Sequence, residues 1–334
     1  MMASRSIAAL FTLICFSATL CAQPQVRPIK RPPNNQLALE GPNDTAIGRI
    51  DATLAVSGIT SQLVFHVSPL SAKGLLSQQI EDAIKALDKA NGAATFLKIR
   101  AFVAGTGDLR RVQTIVNVMF SEKKLPIPVV TTVQVGSLPL EGAQVIIESI
   151  SEEKKPVNPA GLAFLPTVET ATGAEAVTAM QTALAGATPL RLTCFADSQA
   201  EAESARATAA KLFPKLTGVF AQSTRYTLGS RAACEAIAQG GPVQSAKLVF
   251  AAAQLTFGEE EADLALAFDR LDKALEPQGI HRSDAVLVNA YATSRAVADK
   301  ARALAAPTPR SAVFIEGLPS QDATLSVEAI IPAK

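Results

Sequence analysis

One arginine, Arg310, stands where an apolar strand begins in the stretch PTPRSAVFIEGLPSQDATLSVEAII, residues 307–331. A guanidinium holds a carboxylate through two parallel hydrogen bonds and stays charged at any working pH. The plainer use of an arginine at a strand end is to reach solvent. Ser326 and Glu328 follow in the same stretch, two residues apart and so on one face of a strand. Other chemistry is sparse. His66 and His281 are isolated, and no His/Cys/Asp group has zinc spacing, so no metal is expected. GTG at 105–107 lacks the strand-turn-helix setting of a phosphate loop, and no serine sits in a G-x-S-x-G elbow. No cofactor is implied. The acidic run at 259–261 suits a solvated loop entering a helix N-terminus.

The elements that must position these residues belong to a chain of 334 residues, long enough for two or three domains. A formal charge of +1, no Trp and two Tyr argue against nucleic acid as a partner. Arg5 and the apolar run 6–20 read as a signal peptide cleaved near Ala22. The run is shorter than the ~20 residues of a spanning helix, and Leu20 is too bulky for a lipoprotein site at Cys21. The expected location is therefore secreted or periplasmic, with no membrane contact after cleavage. Residues 23–48, rich in Pro, Asn and Gln, read as a mobile linker. Of the four cysteines, Cys15 and Cys21 fall in the leader. Cys194 and Cys234 remain for the folded part, as a disulfide or as two buried thiols.

From about residue 49 one order of elements recurs three times. In the first stretch, 49–152, strand QLVFHVS precedes helix SQQIEDAIKALDKANG, strand LKIRAFVA, helix DLRRVQTIVNVMF and two strands, VVTTVQV and AQVIIESI. Ile80, Ile84 and Leu87 share one helical face. The third stretch, 242–332, repeats the order, with Leu264, Phe268, Leu271 and Leu275 as its helical stripe. The second, 156–239, is the most worn. Its last strand ends CEAI, against IESI and VEAI, so Glu148, Glu235 and Glu328 stand 87 and 93 residues apart. A period of that size marks duplicated domains. The fold class is α+β: three tandem β-α-β-α-β-β units, each a mixed sheet with two helices on one face. Three such units can cover one another's open sheet faces as an intramolecular pseudo-trimer, monomeric in solution.

PTPRSAVFIEGLP…LSVEAII, PIPVVTTVQVGSLP…VIIESI and the F-x-x-A-Q of 250–254 resemble the RidA/YjgF family of enamine/imine deaminases, whose fold is chorismate-mutase-like. The resemblance spans about residues 50–332. It implies pockets between neighbouring units, in which an arginine holds the carboxylate of a 2-imino or 2-enamino acid. Water then hydrolyses the C=N bond to a 2-oxo acid and ammonia. By this motif Arg310 is the substrate clamp and catalytic arginine. Counting eight back from Leu138 and Leu228 gives Val130 and Phe220 at the matching positions, so one pocket keeps its clamp. Gln254 survives as a substrate-binding residue, whereas Ala252 and Ala253 replace the usual Ser-Gly, and Val243 replaces a tyrosine. Glu328 takes the catalytic glutamate's role in one alignment; in the other Ser326 stands there. The plainer reading of Glu328 is a strand-end carboxylate, solvated or paired. The resemblance makes the strands of Cys194 and Cys234 neighbours, so a disulfide between them is conceivable.

Two functions from different classes follow from the resemblance: an exported deaminase with one working pocket, or a carboxylate-binding protein without catalysis. A third class, an interaction module with vestigial pockets, has no residue that names a partner.

Overall fold

The computed structural model describes residues 52–223, 230–240, 246–306 and 310–333, without the side chains of Arg310 and Ser311. The signal peptide, the linker, Leu228 and Val243 lie outside the described residues.

The elements run β1 (Ala55–Ile59), β2 (Leu63–Val67), α1 (Leu76–Asn91), β3 (Thr95–Ala104), α2 (Arg110–Glu122), β4 (Val129–Val135) and β5 (Val145–Glu152). Then come β6 (Leu162–Thr170), α3 (Gly173–Ala183), β7 (Thr188–Ala196), α4 (Gln199–Leu212), β8 (Thr217–Gln222) and β9 (Ala232–Gln239). Last are β10 (Lys247–Ala251), β11 (Gln254–Thr256), α5 (Glu261–Leu275), β12 (Leu287–Ala292), α6 (Arg295–Leu304), β13 (Arg310–Phe314) and β14 (Leu325–Pro332). They make three mixed sheets: β2-β5-β3-β4, β6-β9-β7-β8 and β1-β10-β14-β12-β13, with β11 also on β14. In each sheet one pair, β3/β4, β7/β8 or β12/β13, is parallel. A helix joins the members of that pair, as a parallel connection requires.

Local sequence explains the helices. In α1, Leu76, Ile80, Ala83, Ile84 and Leu87 fall on one buried face, and Gly92 closes the helix at φ 59°. Side-chain oxygens of Thr172, Ser198 and Ser294 cap α3, α4 and α6. The acidic run forms a reciprocal cap on α5 through Glu260 and Asp263. Small residues let α3 and α4 approach closely: a Cβ at Gly173 would lie 2.1 Å from the carbonyl oxygen of Glu201.

Three helix-side cores fill the space between each sheet and its helices. Two further cores join the sheets' opposite faces. One gathers Phe102, Phe195 and Tyr291 with Val133, Val219 and Val313; the other gathers Ile150, Ile237 and Ile330 with Leu63, Leu162 and Leu248. Phe102 meets Phe195 edge to face at 5.4 Å, worth about 0.5–1.5 kcal/mol beyond area burial.

Two features depart from the sequence reading. β1, in the weakly patterned AVSGI, was not foreseen; it pairs antiparallel with β10, Ala55 opposite Ala251. The chain stretch assigned to the first unit thus begins with an edge strand of the third sheet. The strand expected at 246–255 is also broken at Ala252 and Ala253, between β10 and β11. Among the described residues no helix is long and apolar enough to cross a membrane.

Candidate functional site

Strand register brings the three signature glutamates together. Glu148, Glu235 and Glu328 stand opposite Arg100, Thr193 and Asn289 on β3, β7 and β12. Two residues earlier on those strands are Lys98, Arg191 and Leu287; two later are Phe102, Phe195 and Tyr291. A polar layer therefore lies between the two inter-sheet cores, each layer drawing one residue from each sheet.

Arg100 is the hub of this layer. Its Nε donates to Glu148 at 2.6 Å and its Nη1 to the Tyr291 hydroxyl at 2.8 Å. Nη2 reaches Thr193 Oγ1 and Glu235 Oε1, both at 3.3 Å. Glu148 also pairs with Arg191 and accepts from Thr193 at 3.2 Å. Glu328 accepts from Lys98 at 2.5 Å, from Asn289 at 3.1 Å and from Thr131. All three glutamates are buried, Glu328 completely. Their role is to balance Lys98, Arg100 and Arg191. Of the two sequence readings of Glu328, the paired strand carboxylate describes its surroundings.

The electrostatics follow from this closure. Burial opposes ionisation of Glu328, but Lys98 and Arg100, with hydrogen bonds from Lys98 and Thr131, outweigh it and hold the carboxyl at about 2. Burial lowers the Lys98 ammonium against the pull of Glu328. Burial pushes the Tyr291 phenol up, so it stays protonated. A carboxyl held below its unfolded value of 4.5 contributes stability above that value and loses it as pH falls toward about 2. We expect Glu328→Gln to be less stable than wild type at pH 7 and to lose less on acidification from about pH 5 to 2. Urea midpoints across that range measure it; parallel pH curves for the two proteins would contradict this.

Of the residues expected to share a pocket with Arg310, Ser326 lies on β14 and Gln254 on β11. Ser326 and Ala253 line a cleft of about 350 Å³ with Val130, Thr132, Gln113 and Arg110 of the first stretch. Gln254 pairs with Val327, and its amide donates to the Ala252 carbonyl at 3.3 Å, closing its own strand break. The register position of Arg310, opposite Val288, matches Val130, opposite Ile99. The third equivalent is Gly218, opposite Leu192, and not Phe220. The count from Leu228 assumed loops of equal length. Phe220 still fills the spot: a Cβ at Gly218 would lie 2.7 Å from its ring. Gly218 and Phe220 line a cleft of about 230 Å³ with Ile146 of β5 and Leu70 of the loop after β2. β13, which Arg310 opens, runs beside β6 of the second sheet. There Arg302 of α6 pairs with Glu169 at 3.1 Å. Each of β4, β8 and β13 thus lies against a neighbouring sheet, β13 beside β6.

Cys194 and Cys234 are directly opposite on β7 and β9, and their sulfurs are bonded at 2.06 Å. Among the described residues no His/Cys/Asp/Glu group could hold a metal. The residues that sequence reasoning missed are the partners of the glutamates: Lys98, Arg100, Thr131, Arg191, Thr193 and Asn289. A signal was present. LKIRAFVA carries two cations at alternate positions, and LRLTCF one, inside otherwise largely apolar strands, where charge is buried only when paired.

No protein-family model matches the chain, and no curated protein does. Solved structures resemble it locally. A member of the YjgF/YER057c/UK114 family from Mycobacterium tuberculosis is 25% identical over 25% of this chain and 78% of its own, at a TM-score of 0.23. RidA from the Antarctic bacterium Psychrobacter sp. PAMC 21119 is 24% identical over 28% of this chain and 86% of its own, at a TM-score of 0.23. A cyanuric acid hydrolase, described as an innovation by structural concatenation, is 13% identical over 81% of this chain and all of its own, at a TM-score of 0.25. The chain is thus similar in part to RidA/YjgF/UK114 structures, with about a quarter of its length aligned to each such single-unit protein.

Proposed function

We propose that this chain is an exported, monomeric, RidA-like pseudo-trimer that binds a small carboxylate at the cleft Arg310 adjoins, without deaminase catalysis. The observation that carries the non-catalytic reading is the burial of Glu328 in the axial layer, where Lys98, Thr131 and Asn289 occupy it. A carboxylate so held is not free to orient a hydrolytic water. Ser326 lines a cleft with Val130 and Thr132, and Gln254 bonds within its own strand break.

The strand beside β13 supplies Pro166 and Thr167 at its register shift, where the third stretch has Ala252 and Ala253. Thr167 Oγ1 is buried and has no hydrogen-bond partner among the described residues. A guanidinium and a hydroxyl together can hold a carboxylate and a neighbouring carbonyl oxygen. Small 2-oxo acids are the matching ligand class.

The alternative is the deaminase itself, hydrolysing a 2-imino or 2-enamino acid. The motif around Arg310, PTPRSAVFIEGLP, favours it.

One comparison separates the two. Wild type and Arg310→Ala are heated with a panel of 2-oxo acids, and ammonia release is followed with imines made in situ by an amino-acid oxidase. Binding predicts ligand-dependent stabilisation of wild type, lost in Arg310→Ala, and no arginine-dependent ammonia. Turnover that disappears in Arg310→Ala restores the deaminase; no stabilisation and no turnover removes both. A homotrimer by light scattering contradicts the pseudo-trimer.

A further inference from the structure

Three polar atoms of the axial layer have no partner among the described residues: Arg191 Nε, Glu235 Oε2 and Asn289 Oδ1. Their residues are 3%, 7% and 3% exposed. All three residues line a single chamber of about 30 Å³. By that measure a water molecule needs roughly 10–15 Å³ and two to four polar partners. The chamber therefore accepts one or two molecules of that size and excludes larger organic ligands.

The free atoms define the guest's chemistry. Arg191 Nε is a donor, so the guest must accept once. Glu235 Oε2 and Asn289 Oδ1 are acceptors, so it must donate twice. The wall already balances itself, with Lys98, Arg100 and Arg191 against Glu148, Glu235 and Glu328. A neutral guest keeps that balance. A halide has nothing to donate and sets a second anion beside Glu235. An ammonium ion offers Arg191 Nε no acceptor and brings a fourth cation. Ile150, Ile237, Leu287 and Ile330 form the rest of the lining and offer no competing bond.

We infer that the axial chamber is a binding site for ordered water, one or two molecules, held by Arg191, Glu235 and Asn289. The water completes the hydrogen bonding of a layer to which all three sheets contribute, so it belongs to the joint between them.

A crystal structure of the full chain at a resolution that shows waters tests this. The expected result is a peak within hydrogen-bond distance of these three atoms. Bromide-soaked crystals should give no anomalous peak in the chamber. In solution, oxygen-17 relaxation dispersion counts long-lived internal waters; Ile237→Phe, which fills the chamber, should lower the count by at least one. Three results overturn the inference: side chains that satisfy one another with no peak, bromide in the chamber, or an unchanged count in a folded Ile237→Phe protein. If Ile237→Phe does not fold, the two crystal results decide alone.

Discussion

Arg100→Met should destabilise the protein by about 3–5 kcal/mol, because it leaves buried carboxylates without their counter-charge. Arg100 bonds Glu148, Glu235, Thr193 and Tyr291 at once, and its side chain is 8% exposed. Methionine replaces much of the volume but none of the five donors. The loss is a large share of the ~5–15 kcal/mol that holds a typical domain together. The thermal midpoint should fall on the order of 10 °C. The control is Lys85→Met, which breaks an exposed pair with Glu81 on α1 and should cost less than about 1 kcal/mol. Urea unfolding of both variants measures the contrast. Equal effects would show that the axial layer is wetter and looser than its geometry indicates.

The second large effect concerns the bond between Cys194 and Cys234. It closes a loop spanning 40 residues of sequence and joins β7 to β9, where Phe195 stands opposite Ala233 and Ala196 opposite Ala232. The chain-entropy model assigns such a loop about 4 kcal/mol. We expect the Cys194→Ala, Cys234→Ala pair to lower the urea midpoint by a matching amount. Alanine is the right replacement, because both positions are buried and a serine hydroxyl would go unpaired. Reduction of the wild type should reproduce the shift, and the double variant should be indifferent to reductant. Identical midpoints for oxidised and reduced wild type would refute this.

What the sequence revealed depends on what each signal encodes. Helix α1 was legible because Ile80, Ile84 and Leu87 repeat at helical spacing and Gly92 marks the end. The glutamates of IESI, CEAI and VEAI were legible as equivalent positions, since each falls at one register point on its strand. Their job was not, because a strand pattern gives the face a residue occupies but not what stands across from it. Glu328 meets Lys98 from 230 residues away, a pairing that no local spacing encodes. That Ser326 lines a cleft with Val130 of the first stretch was hidden for the same reason: it depends on which sheet lies beside which. Phe220 was misplaced by one strand step of two residues, since loop length, unlike register, drifts without cost to the core. β1 escaped notice because AVSGI borrows its burial from β10 rather than from a pattern of its own.

The charges of the polar layer are shared unequally along the chain. The first stretch brings Lys98, Arg100 and Glu148, a surplus of one positive charge; the second brings Arg191 and Glu235 and is neutral; the third brings Glu328 and is one negative charge short of a partner. Three copies of the first stretch would enclose three surplus cations, and three copies of the third an equal surplus of anions. Neither is a ring that closes. The linear order of the polypeptide therefore does more than save an assembly step. It fixes a stoichiometry: one copy of each stretch, held in one chain, brings three cations and three carboxylates together in equal number.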